Sequence, residues 1–202
     1  MAKKSRARRN ALFSAIITFL SFLYKLGLGI YTKTLILIVA SISTLLVFIC
    51  KATFVKVFNG TKEQKKKAYL IMAIAAMSFS VLFILFVVLK VSGIDISKEN
   101  KYEGWFGLIF IAFTILMFVL SVINLKGALK KTDILLIGLK EMIFISALTD
   151  AVIIETFINR IILSFYDLQI IYTLDNYFPL AIGVVMIVIS AKMFVRYKNY
   201  EE

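Results

Sequence analysis

Apolar and polar positions in this chain separate into long blocks, with no sign of the period-2 alternation of strands. Six apolar segments stand out, at about 10–30, 34–55, 67–90, 104–125, 137–164 and 177–195. Each is long enough to cross a hydrocarbon layer of about 30 Å as a helix of roughly 20 residues. Continuous apolar runs predict helices rather than a barrel, whose strands alternate. The stretch 70–89, LIMAIAAMSFSVLFILFVVL, contains no charge. The fourth segment is nearly as clean, with Tyr102 and Trp105 as interface anchors at one end. The fifth is the most interrupted, by Lys140, Glu141, Asp150, Glu155 and Arg160. The only proline, Pro179, is expected in the first turn of the sixth span, where it is tolerated.

The predicted fold is therefore an all-α integral membrane protein of six transmembrane helices, forming one domain over 1–202 without a soluble domain. The amino terminus, MAKKSRARRN, is read as leading into an uncleaved first span, because no small-residue cleavage site follows the apolar stretch cleanly.

Composition agrees with that reading. Of 202 residues, 61% are hydrophobic and 18% charged, against about 25% charged in ordinary soluble domains. The formal charge is +12, and there is no histidine. That absence removes histidine bases, histidine triads and histidine metal ligands. The single Cys50 cannot form an intrachain disulfide.

The basic residues sort by loop. Lys3, Lys4, Arg6, Arg8 and Arg9 precede the first span, and segment 51–67 carries Lys51, Lys56, Lys62, Lys65, Lys66 and Lys67 against only Glu63. Lys126, Lys130, Lys131 and Lys140 follow the fourth, and Lys192, Arg196 and Lys198 lie in the tail. The alternate connections are poor in net positive charge: Lys33 alone, then Lys90, Lys98 and Lys101 balanced by Asp95, Glu99 and Glu103, then Asp167 and Asp175. This alternation predicts a multi-pass cell-membrane protein with both termini cytoplasmic. It also accounts for the basic charge without nucleic acid as a partner. The expected partner is the lipid bilayer, with Lys65, Lys66 and Lys67 placed to touch anionic headgroups.

Polar groups within a bilayer need a reason. Lys25 is expected to snorkel outward beside Tyr24 and Tyr31, with a transport role as the alternative. In the fifth segment, Glu141 and Glu155 fall on nearly one face, with Asp150 opposite Glu141. Glu155 forms an i,i+4 pair with Asn159, with Arg160 adjacent to neutralise it. Ser146, Thr149 and Asp150 form a second polar strip. Asp150 is the most central carboxyl. It reads either as a cation or proton site, or as a protonated or hydrogen-bonded group packed between helices. Ser43 and Thr44 of the second segment are auxiliary oxygens for such a site. Gly27 and Gly29 are expected to allow close packing of the first helix. No P-loop, dinucleotide fingerprint, zinc site or nucleophile elbow occurs, so no cofactor, no metal site and no catalytic residue is assigned.

The stretch LYKLGLGIYTKTLILIVASISTLL resembles the opening of the cation diffusion facilitator (cation efflux) transporters, whose first two helices commonly carry a lysine, a glycine and a serine at this spacing. The short outer turn, the basic loop after the second span and the DNYFPLA entry to the sixth (Asp175 to Ala181) are similar too. The resemblance implies a six-span cation-efflux-like bundle and a homodimer. In that family the ion sits between the second and fifth helices on Asp or His pairs four residues apart. Carried onto this chain, the positions are Ser43 with Val47, and Asp150 with Ile154. Only Asp150 is a carboxylate, and the family's cytoplasmic metal-binding domain has no counterpart in these residues. The implied fold therefore comes without the family's metal ligands.

Two functions are expected from these residues. The first is movement of a cation or small solute with proton coupling, through Asp150 and Glu155 as ion-binding groups aided by Ser43 and Thr44. The alternative is a non-transporting scaffold or accessory subunit on the same fold. An intramembrane enzyme is disfavoured, since no nucleophile stands beside a base.

Overall fold

The computed structural model describes the backbone of residues 2–92, of 112–126 except 113, 117 and 124, of 133–165 and of 169–200. Side chains are described for the same residues apart from 2–11 and 160–175. All regular structure among them is helical. In chain order the helices are α1 (Ala2–Tyr31), α2 (Leu35–Val57), α3 (Lys62–Val91), a shorter α4 (Thr114–Ile123), α5 (Ile134–Phe165) and α6 (Gln169–Asn199).

Four stretches are long and apolar enough to cross a membrane: Leu12–Tyr31, Leu35–Val57, Lys62–Val91 and Asn176–Asn199. Their outward faces carry Leu12, Phe13, Ile16, Leu20, Ile71, Leu82 and Val188 exposed, an apolar coat that a water-soluble domain does not present. The chain is a membrane-embedded helical protein. Of the expected fourth span, only α4 and its immediate neighbours are described, and Tyr102 and Trp105 lie outside the described residues.

Helix ends follow local chemistry. α1 closes on a tight turn in which Thr34 N–H donates to the Gly29 carbonyl (3.0 Å), with Lys33 in the left-handed region at φ 52°. Gly29 lets α2 come close, since a Cβ there would lie 3.0 Å from Ile38 Cγ1; a Cβ at Gly27 would meet nothing, so only one of the expected pair serves packing. α3 opens with a capping box: Gln64 N–H donates to Thr61 Oγ1 (3.3 Å), and Thr61 N–H donates to Gln64 Oε1 (3.0 Å). Asp133 caps α5, its Oδ1 accepting from Leu135 N–H (3.0 Å) and Leu136 N–H (3.3 Å).

Pro179 departs from expectation. α6 begins at Gln169, so the proline is interior rather than in the first turn, and the helix forgoes one backbone bond there. α2 continues to Val57, so Lys51 lies on the helix, as the second apolar segment at 34–55 has it.

α1 packs on α2, α2 on α5, and α3 on both α5 and α6. The main core lies between α3, α5 and α6, around Tyr69, Met72, Phe83, Met142, Ile145 and Met186. Close approach is built in at Gly138, where a Cβ would sit 2.5 Å from the Tyr69 ring. Hydroxyl pairs tie helices across the bundle: Ser80 with Ser190 (3.1 Å) and Ser43 with Ser146 (3.0 Å). α1 and α5 do not pack backbone against backbone, and that gap is where the polar residues gather.

Candidate functional site

The gap between α1, α2, α5 and α4 is a cavity of about 100 Å³. Hydroxyl side chains line it from four helices: Thr18 and Ser21 from α1, Thr44 from α2, Thr114 and Ser121 from α4, and Ser146 from α5. Among the described residues, three charged side chains reach it: Lys25, Lys51 and Asp150. Helix geometry explains the grouping. Thr18 and Lys25 are seven residues apart on α1, and Thr44 and Lys51 are seven apart on α2, so each pair shares a face.

At one end Lys25 Nζ meets Asp150 Oδ1 at 2.5 Å and donates to Thr44 Oγ1 at 3.2 Å. The side chains are only 8% and 11% exposed, so this is a buried ion pair across the gap. Thr44 is fixed in turn by donating to the Ala40 carbonyl (2.9 Å). Outward snorkelling of Lys25 is thus overturned: its ammonium turns inward because Asp150 offers a charge partner that lipid does not. Asp150 does face the second helix, as a gathering of the fifth-segment acid with Ser43 and Thr44 requires. Thr44 shares the lysine with it, while Ser43 bonds to Ser146, one turn before Asp150.

At the other end Lys51 Nζ donates to Thr18 Oγ1 (2.6 Å), Ser14 Oγ (2.8 Å) and the Ser14 carbonyl (3.3 Å). Neither this lysine nor the two α1 hydroxyls were singled out from sequence. The seven-residue spacing on α1 and α2 was the available signal.

Glu155 stands apart from the cavity and accepts a bond from Asn159, the expected i,i+4 partner. The side chain of Arg160 lies outside the described residues. Glu141 is buried, ion-paired with Arg196 and accepting from Tyr69 OH at 3.3 Å. That cluster joins α3, α5 and α6 and shares no wall with the cavity. Among Lys65–Lys67, Lys65 pairs with Asp133 at 3.0 Å and Lys66 sits 4.9 Å over the Tyr197 ring, leaving Lys67 the most exposed of the three.

Among the described residues no group of three Cys, Asp or Glu side chains converges as metal ligands would. Comparison with family models, with curated proteins and with solved structures finds no match to this chain.

Proposed function

We propose that this chain is a six-span cell-membrane protein, with both termini cytoplasmic, that carries a small solute through the cavity with the Lys25–Asp150 pair as its proton-linked gate. One observation carries the reading: an ion pair 2.5 Å long stands on the wall of a hydroxyl-lined cavity in the interior of apolar helices. A carboxylate and an ammonium that compensate each other can remain charged in a low-dielectric interior. A proton delivered to Asp150 Oδ1 removes that compensation and frees Lys25. Loss of the proton restores the pair. Opening and closing the α1–α5 link in this way couples proton movement to access.

The donor set bears on the solute. Asp150 already holds an internal cation, and Lys51 adds another positive charge, so the cavity is ill suited to a divalent metal. Thr44 completes the gate, Ser43 anchors α2 to α5, and Glu155 is not needed by it.

Vesicles containing the purified chain and an entrapped pH dye test this. A panel of alkali cations, halides, nitrate and short carboxylates is applied under an imposed proton gradient. Solute-dependent proton movement is expected, with at least a tenfold loss in Asp150→Asn; undiminished flux in that variant removes the gate. The scaffold alternative has one observation in its favour, since Lys25 satisfies Asp150 without any ligand. No flux with any solute, together with a partner that co-purifies stoichiometrically, decides for it.

A further inference from the structure

Charge does not balance in the cavity. Asp150 compensates Lys25, and Lys51 remains. Its three donors meet three neutral oxygens, two hydroxyls and a carbonyl. None of the ion pairs among the described residues includes it. This half-buried ammonium has no counter-ion among the described residues.

We infer that the Lys51 end of the cavity binds a small monovalent anion. The inference names the solute class of the proposed carrier and rests on that cavity being its working site. Seven residues of α2 separate Lys51 from Thr44, about 10 Å of helix at 1.5 Å per residue. An anion at Lys51 therefore sits a solvent-sized step from the gate, away from the Asp150 carboxylate. Further donors are at hand. Ser21 lies one turn from Thr18 on the same wall, and its hydroxyl has no acceptor among the described residues. Ser121 and Thr114 of α4 line the facing wall. The cavity has room for a halide, nitrate or acetate, and gluconate, a larger polyhydroxylated anion, is the poorly fitting reference. Entry of the anion next to Lys51 brings the summed charge of Lys25, Asp150 and Lys51, the charged lining groups among the described residues, to zero.

The test uses the full chain in detergent, with no gradient, so that it is independent of transport. Thermal unfolding is followed as chloride, nitrate or acetate replaces gluconate at constant ionic strength. A saturating rise in the midpoint is expected for the small anions. Lys51→Met abolishes the rise and Lys51→Arg keeps it. Calorimetric titration of the native protein with nitrate measures binding directly, which covers the case where Lys51→Met does not fold. No difference between nitrate and gluconate by either method overturns the inference, as does a rise that persists in Lys51→Met. Saturable nitrate binding without solute flux upholds the anion site and removes the carrier.

Discussion

A charged side chain inside hydrocarbon keeps its charge only where compensation is within reach, and Lys25 and Asp150 reach each other across α1 and α5. Removing one partner strands the other. Lys25→Met and Asp150→Leu should each lower stability, by about 3–5 kcal/mol if the stranded group stays charged. The double variant Lys25→Met with Asp150→Leu should recover most of that loss. A double-mutant cycle on detergent unfolding measures the coupling, and additive losses would mean the two groups are energetically independent. The Glu141–Arg196–Tyr69 cluster follows the same logic away from the cavity. Tyr69→Phe keeps the ring in its core position and deletes one bond to Glu141, so about 1–3 kcal/mol should be lost without any effect on solute flux. Reduced flux in that variant would tie the cluster to the gate.

At the scale of elements, helices in a bilayer associate by close packing and a few polar contacts rather than by burial from water. Gly138 is where α5 meets α3, with the Tyr69 ring filling the space a side chain would take. Gly138→Ala forces the ring or the helix to move, which should lower stability by about 1–3 kcal/mol. An unchanged melting midpoint would show that the interface yields freely. The α3 cap is a smaller device. Thr61→Ala deletes the side-chain acceptor for Gln64 N–H and should cost about 1 kcal/mol, read as fraying of the first turn by amide exchange. Asp133 does two jobs, capping α5 and holding Lys65 of α3, so it fixes how these helices meet.

For the whole molecule, the alternation of basic and non-basic connections is the ground for the proposed orientation. Cysteines placed singly at Lys3, Lys33 and Tyr200 in a Cys50→Ala background test it. An impermeant maleimide applied to intact cells should label position 33 and spare 3 and 200. Labelling of 3 or 200 would reverse the proposed orientation.

Five of the six apolar segments read from sequence correspond to long helices, with ends within a few residues at α2 and farther out at α1, α3 and α6. Continuous hydropathy makes that possible, because a span needs no knowledge of its neighbours. The site was half legible. Asp150 could be marked as a burden on the membrane, and Thr44 as an oxygen on the facing helix, from their own positions. The partners of Glu141 and Lys51 were not legible, because a lysine or glutamate near a helix end looks the same whether it turns outward or in.

The sequence by itself determined that this chain is a helical membrane protein and which of its polar groups would need compensation. Hydropathy is a property of each residue and its neighbours along the chain, so it can be summed without coordinates. Only the tertiary structure decided who compensates whom. Lys25 and Asp150 stand 125 residues apart, Lys51 and Thr18 stand 33 apart, and Ser43 and Ser146 stand 103 apart. Such partners are chosen by which faces of which helices come together, and that choice is made by packing across the bundle.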